Sequence, residues 1–318
     1  MIAELAVIVL NYRTPDMTID CLASMDGEIE PGFRVVVVDN ASGDGSAERL
    51  ERAVVERGWS TWAAVLRSGV NGGFAAGNNL GIRSVDASAY LLLNSDTLVR
   101  PGALRELRDA MRVRPEAGII GAGLLTAQGT PDQSFFRVTG PASELVRAAG
   151  TGPITRLLRR FDPILPPTEQ PIEPGWVGFA CVLIRREVLD AVGLLDHDYF
   201  MYFEDIDYCR RARQAGWKIL YWPRAKVVHL LGGSSQVSSP ADQRSRAPRY
   251  YYEARARYFA KFYGRHGLWL ANALWHVGRL VAFPRELLGR SASSREGEAV
   301  GIWTNALDPL RPREGGPA

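Results

Sequence analysis

Cysteine is scarce in this chain. Cys21, Cys181 and Cys209 are an odd number in 318 residues, widely spaced and without a CxxC pair. That leaves no basis for a disulfide framework or a structural zinc site, and reduced thiols in a cytoplasmic protein are expected. Lysine is scarcer relative to its charge class. Lys218, Lys226 and Lys261 are its only occurrences among 38 basic residues. Charge of one sign is also missing, because 38 basic residues face 35 acidic ones for a net charge of +3. So small an excess is no electrostatic footprint for nucleic acid, and no such partner is expected. No apolar run reaches the roughly 18 residues of a membrane-spanning helix. Met1-Ile2-Ala3-Glu4 lacks a basic n-region, and the run Leu5 to Leu10 is too short for a signal h-region. No internal repeat is found.

What is present is an alternation of short apolar runs and helical patterns. Leu5 to Leu10, Arg34 to Asp39 and Tyr90 to Asn94 read as buried strands of a parallel sheet, and Ala63 to Arg67 as a further strand. Helices are expected over Asp16 to Met25, Ala47 to Arg57, Ala75 to Arg83 and Gly102 to Arg114. The pattern predicts an α/β fold with a parallel sheet. Ligands of such sheets bind beyond the carboxyl ends of the strands. Those ends carry Asn11, Asp39, Arg67 and Asn94-Ser95-Asp96. Thr126 to Pro174 is irregular and reads as an insertion or lid. A strand from Trp176 to Ile184, helices Arg185 to Val192 and Glu204 to Ala215, and strands Lys218 to Trp222 and Lys226 to His229 close the core. Beyond them an aromatic, basic helix is expected over Tyr250 to Tyr263 and a mostly apolar one over Leu268 to Leu288. Asn272, His276, Arg279 and Glu286 form a narrow polar stripe on the second, which argues against a membrane span.

The chemistry is expected at the carboxylates. Mg²⁺ and Mn²⁺ prefer oxygen ligands. Asp96, at the end of a strand, can hold such an ion against a diphosphate, with Asn94 assisting; it can instead merely cap a helix after Thr97. Asp205 follows the aromatic run Tyr199 to Phe203, an apolar wall that raises a carboxyl's pKa, and is the candidate general base. Asp207 is assigned to structure, pairing with Arg210 or Arg211 at helical spacing. His229 ends a strand and can complete a metal shell, contact a phosphate or simply close the strand. Asp39, Asn40, Asn71, Gly77, Asn78 and Asn79 cluster at turns, where amides and carboxylates can read a pyrimidine edge or a ribose hydroxyl, although Asn and Asp favour turns in any case. Trp176 with Gly178 can stack on a sugar or belong to the core.

As a set these segments resemble family 2 glycosyltransferases. The resemblance is carried by Val7-Ile8-Val9-Leu10-Asn11-Tyr12, Val37-Val38-Asp39-Asn40-Ala41-Ser42-Gly43-Asp44-Gly45-Ser46, Asn71-Gly72-Gly73-Phe74-Ala75-Ala76-Gly77-Asn78-Asn79, Leu91-Leu92-Leu93-Asn94-Ser95-Asp96, Gly175-Trp176-Val177-Gly178-Phe179-Ala180, Phe200-Met201-Tyr202-Phe203-Glu204-Asp205-Ile206-Asp207 and Val227-Val228-His229. Their order is similar to the branch holding bacterial rhamnosyl- and galactofuranosyltransferases. A helical extension is expected over 241–290, and the polar, proline-bearing stretch 291–318 reads as a tail that is disordered apart from Ile302-Trp303. The resemblance covers about residues 5–235 and implies a GT-A fold for the catalytic domain, residues 1–240. It implies an inverting transferase that takes a dTDP- or UDP-sugar, with dTDP-L-rhamnose favoured, and uses Mg²⁺ or Mn²⁺. Asp39 would then meet the nucleobase or ribose, helped by Asn11, Asn40, Asn71, Gly77, Asn78, Asn94 and Ser95. Asp96 and His229 would serve the metal and Asp205 the acceptor proton, with Trp176, Gly178 and Glu204 near the acceptor. Asn94 stands where the DxD motif has its first aspartate. The C-terminal helices are compatible with a lipid-linked acceptor at the cytoplasmic membrane face, with ordinary packing or with a homodimer contact. Two other classes compete. A nucleotidyltransferase would want a glycine- and arginine-rich phosphate loop near the N-terminus, which is missing. A non-catalytic nucleotide-sugar-binding protein would not need Asp205.

Overall fold

The computed structural model describes residues 2–150, 152, 156–230, 246–289 and 294–313. The boundary expected at 240/241 and the end of the tail lie outside them. The first half alternates as its apolar runs demand: β1 (Leu5–Asn11), α1 (Pro15–Met25), β2 (Phe33–Asp39), α2 (Ser46–Glu56), β3 (Ala63–Arg67), α3 (Gly73–Ser84), β4 (Ala89–Asn94), β5 (Thr97–Val99) and α4 (Ala103–Val113). Then come β6 (Ala117–Leu125), β7 (Phe135–Phe136), α5 (Pro141–Ala149), β8 (Trp176–Val177), β9 (Cys181–Arg185), α6 (Arg186–Val192), α7 (Glu204–Gln214), β10 (Lys218–His229), α8 (Arg249–Leu287) and α9 (Glu298–Gly301).

The main sheet has eight strands in the order β3-β2-β1-β4-β9-β6-β10-β5. β3, β2, β1 and β4 are mutually parallel, while β9 runs antiparallel between β4 and β6. Its central strands are buried on both faces, which is why they read as unbroken apolar runs. One face packs on α1, α2 and α4 through Leu22, Leu50 and Leu107. The other packs on α3, α6 and α7 through Ile82, Val188 and Tyr208.

Three expectations are corrected, and one strand goes unforeseen. β6 is not anticipated by the strand pattern, because Gly118, Gly121 and Gly123 interrupt it. Each sits where a Cβ would collide: with Val188 and Trp217, with Val177, and with Pro223. The stretch Thr126 to Pro174 is not simply irregular. α5 lies within it and docks on α8, and Glu144 of α5 meets the buried Arg255 at 2.9 Å. The strand expected over Trp176 to Ile184 is two strands, because β8 pairs with β7 outside the main sheet. The described tail is folded: Glu298 and Ile302 are buried and α9 is helical.

The two expected C-terminal helices meet at Gly264, whose φ of 70° and ψ of 175° break the helical run. Their polar stripe turns partly inward. Asn272 is buried, accepts from Arg255 at 2.7 Å and donates to the Ile302 carbonyl at 3.0 Å. Arg279 and Glu286 pair with each other at 2.6 Å. The exposed face of this segment is apolar instead, with Trp269, Leu280, Phe283 and Leu287 outward. No helix among the described residues is long and apolar enough to cross a membrane.

Candidate active site

A cavity of about 800 Å³ opens beyond the carboxyl ends of β1, β2 and β4, as the sheet topology prescribes. Asn40, Asn71, Asn94, Ser95, Asp96, Trp176, Gly178, Glu204, Asp205 and His229 all line it. Asn11, Asp39, Gly77 and Asn78 do not. Asn11 and Asp39 are register partners on β1 and β2, so they project to the same side, toward α1. Asp39 accepts from the Asn11 amide at 2.7 Å and from the Ser42 hydroxyl at 2.6 Å, and Thr18 of α1 donates to Asn11 at 2.9 Å. The neighbouring residues, Leu10 and Asn40, face the cavity. Gly77 is where α3 touches β1, since a Cβ there would lie 2.3 Å from Leu10. The Asn78 amide donates to the Phe74 carbonyl within its own helix.

On the β2 side, the Asn40 amide nitrogen donates to Asn71 at 2.9 Å and its buried oxygen has no partner. Such an orphaned acceptor suits a ligand N–H or hydroxyl. The turn beside it requires glycine at 73: its φ is +84°, and a Cβ would lie 2.0 Å from the Phe200 carbonyl. That closeness lets Phe74 N–H donate to the same carbonyl at 2.7 Å, tying the Asn71 turn to the loop before α7.

Asp96 meets His229 because β5 pairs antiparallel with β10, with His229 opposite Thr97. His229 Nε2 lies 3.4 Å from Asp96 Oδ1, and its Nδ1 lies 3.9 Å from Asp132 Oδ2. Burial alone would lower this imidazole; Asp132 and Asp96 outweigh it and hold the pKa up at about 9. Two carboxylates thus favour positive charge at this spot, and an oxygen and a nitrogen ligand converge there. The donor set fits Mg²⁺ or Mn²⁺. Among the described residues no group of three His, Cys, Asp or Glu side chains could hold an ion alone.

Across the cavity, Tyr202 and Phe203 adopt φ of 72° and 67° in succession. Two aromatic residues in the left-handed region store on the order of 2 kcal/mol of strain. The turn they make starts α7 with Glu204 and Asp205 turned into the cavity. Burial pushes Asp205 up to about 7, although the Ile206 N–H donates to it at 2.8 Å. Burial, with the charges of Asp205 and Asp207, raises Glu204 well above the usual carboxylate range. Its buried Oε2 has no partner. Asp207 points away, held by Arg211 at 2.7 Å and Lys261 at 2.6 Å, in keeping with its structural assignment. Trp176 stacks on Phe136 at 4.1 Å along the cavity wall.

Sequence reasoning missed Asp132, Phe136 and Tyr250, which also reach the cavity. Asp132 arrives through a short return of chain, its N–H donating to the Leu124 carbonyl at 2.9 Å. No local motif announces it.

This sheet, with its polar cavity at the strand ends, defines a GT-A glycosyltransferase. The chain belongs to the glycosyltransferase-like family 2, whose model matches residues 3–253. It is therefore an enzyme of the hexosyltransferase type. It is 29% identical over 315 residues to the N-acetylglucosaminyl-diphospho-decaprenol L-rhamnosyltransferase of Mycobacterium tuberculosis, covering 92% of this chain and 94% of that one. It is 28% identical to the low-salt glycan biosynthesis hexosyltransferase Agl10 of Haloferax volcanii, covering 82% and 76%. Among solved structures, the mannosyltransferase PcManGT of Pyrobaculum calidifontis, in complex with GDP-Man and Mn²⁺, superposes with a TM-score of 0.58 at 15% identity, covering 99% of this chain and 89% of that one.

Proposed function

We propose that this enzyme moves L-rhamnose from dTDP-L-rhamnose to a hydroxyl of a lipid-linked saccharide, inverting the anomeric carbon, at the inner face of the cytoplasmic membrane. The observation that carries the chemistry is Asp205, a carboxyl of raised basicity, in one cavity with the Asp96–His229 pair. The donor lies between them. Asn40 and Asn71 hold the nucleoside end, with the orphaned Asn40 oxygen accepting from base or ribose. Asn94 and Ser95 flank the diphosphate. Asp96 and His229 would hold Mg²⁺ or Mn²⁺, which offsets the charge on the departing diphosphate. Ionised Asp205 takes the proton of the acceptor hydroxyl. The acceptor oxygen bonds to the anomeric carbon as the bond to the diphosphate breaks, and that electron pair leaves with the diphosphate. Glu204 and Trp176 orient the acceptor.

The rhamnosyl identity is supported by the mycobacterial relative, which aligns over nearly the full length of both chains. A lipid-borne acceptor is supported by the apolar face of α8, where Leu280 is 74% exposed. Arg265 and His266 are exposed at its start, and no exposed acidic residue interrupts it through Gly289. The test is turnover with Mn²⁺ and a diphospholipid-linked N-acetylglucosamine, offering dTDP-L-rhamnose, UDP-glucose and UDP-galactofuranose in parallel. Transfer from dTDP-L-rhamnose alone, with an inverted linkage by NMR, is expected. Transfer from a UDP-sugar instead would replace the donor, and a retained configuration would refute the role of Asp205.

A further inference from the structure

A second cavity, of about 310 Å³, lies beside the catalytic one. Trp176 lines both, and Ile206, next in the chain to Asp205, lines the smaller. Two arginines of α7 also face it, Arg210 and Arg213, separated by three positions and so on one side of the helix. Arg210 is half-buried. Its guanidinium lies over the Phe262 and Tyr263 rings, 4.4 and 4.3 Å from their centroids, and donates to the Tyr258 hydroxyl at 3.2 Å. Arg213 donates to the Gly175 carbonyl at 3.4 Å and is otherwise exposed. Among the described residues neither forms an ion pair.

The neighbours behave differently. Arg211, between them, is bound to Asp207, and Arg147, Arg255 and Arg257 all meet carboxylates. Two guanidinium groups that share a cavity without an anion repel each other. One is fixed in place by aromatic faces that cannot neutralise it. The Trp176 indole N–H is buried in the shared wall without a partner. A fixed guanidinium fork lacking a carboxylate, with a second one exposed beside it, is matched to phosphate oxygens, which guanidinium groups grip in pairs.

We propose that this cavity binds the diphosphate of the acceptor, while the acceptor sugar lies along Trp176 with its attacking hydroxyl at Asp205. The inference deepens the function proposed above and rests on its placement of the acceptor at Asp205. It gives the enzyme a reason to prefer a sugar carried on a diphosphate over the same sugar on a neutral stem. A uronic acid acceptor would offer the guanidinium groups similar oxygens, so the test must separate the two.

The protein and its Arg213→Gln and Arg210→Gln variants are compared on three acceptors. Two are N-acetylglucosamine, one on an alkyl diphosphate and one on a neutral alkyl stem, and the third is glucuronic acid on the neutral stem. Tryptophan fluorescence follows their binding without turnover, so the result stands apart from the identity of the donor. The wild type should bind the diphosphate form at least tenfold more tightly than the neutral one, and each variant should abolish that preference. Nucleotide affinity, measured by calorimetry, reports on the separate donor site. Arg210 also clamps α7 to α8, so its variant is read only where the melting temperature is kept; the exposed Arg213 carries the test otherwise. Equal binding of charged and neutral forms by the wild type, a preference that survives Arg213→Gln, or a preference for the glucuronide over the diphosphate overturns the proposal.

Discussion

Replacing Asp205 by Asn should remove transfer and, at the same time, stabilise the fold. The amide has the same shape, and its oxygen can keep the hydrogen bond from Ile206 N–H that Asp205 accepts at 2.8 Å. What it cannot do is accept a proton. General bases contribute about 10²–10⁴ in rate, so kcat should fall by that factor, which corresponds to a barrier about 3–5 kcal/mol higher. Donor nucleotide affinity should change less than twofold. The pH behaviour follows from the raised pKa. Asp205, carried from its ordinary 3.8 up to about 7, is protonated below neutrality, so wild-type kcat/KM should fall about fivefold from pH 7 to pH 6. The residual activity of the variant should lack that limb. For stability, the folded protein binds more protons than the unfolded chain between about pH 4 and 7, so stability declines as pH rises through that window. At pH 8 the strained carboxylate withholds up to about 4 kcal/mol, reduced to about 2 kcal/mol by water in the cavity. The variant should therefore melt several degrees higher at pH 8 and show little gain at pH 4. Thermal melts at both pH values and steady-state kinetics are the assays. A variant that keeps more than a tenth of the wild-type kcat refutes the assignment of the base; one whose gain over the wild type is the same at both pH values refutes the account of its pKa.

Asp96→Ala should weaken Mn²⁺-dependent nucleotide binding by on the order of 100-fold, about 2.7 kcal/mol, in calorimetry, and leave metal-free binding unchanged. Arg255→Ala should cost about 3–5 kcal/mol in urea unfolding, because Arg255 is buried against Glu144 and Asn272. Burial would raise Glu144, but Arg147 and Arg255 hold it down at about 2. Its contribution is therefore complete above about pH 4.5 and is lost as pH falls toward 2, a limb that Arg255→Ala should flatten in acid melts. Leu280→Asp with Leu287→Asp should reduce co-sedimentation with phosphatidylglycerol vesicles severalfold at an unchanged melting temperature; unaltered sedimentation refutes docking of this face. Arg313→Ala should raise the donor KM about threefold to tenfold, since its side chain donates to the Gly72 carbonyl at 3.0 Å and covers Phe200 at 3.9 Å, bracing two walls of the cavity.

The parts of this architecture that the sequence shows are those whose physics is local. β1, β2 and β4 appear as apolar runs because both their faces are covered, and Asn94-Ser95-Asp96 is conspicuous because a buried strand ends there in polar groups. β6 is equally buried but carries three glycines forced by long-range contacts with Val177, Val188, Trp217 and Pro223, and no local rule foresees those. Side-chain direction at a strand end is another such limit. Composition marks Asp39 and Asn40 alike, yet alternation sends one toward α1 and the other into the cavity, and the register with Asn11 decides which. Asp132 needs still more, since it reaches His229 only after the chain returns along β6.

The residues around Asp205 explain why a site this unfavourable persists. Glu204 and Asp205 are two carboxyls with little polar support, on a turn that holds two aromatic residues in left-handed conformations. Alone, that segment would relax by rotating the carboxyls into water. It is prevented from both sides. Asp207, one residue beyond Ile206, is fixed by Arg211 within α7 and by Lys261 from α8. Asp196 and Asp198, before the turn, are fixed by Arg257 of the same α8, and Lys261 also reaches Asp196. Four ion pairs from one helix to three acidic residues flanking the turn leave it no lower-energy path. The helical extension therefore braces the turn that carries Asp205. Lys261→Met should accordingly lower kcat without contacting any substrate, and it should do so by letting the Asp205 limb of the pH profile drift back toward the usual carboxylate range. An unchanged pH limb together with a lowered kcat would mean that α8 acts on the acceptor directly and not through the turn.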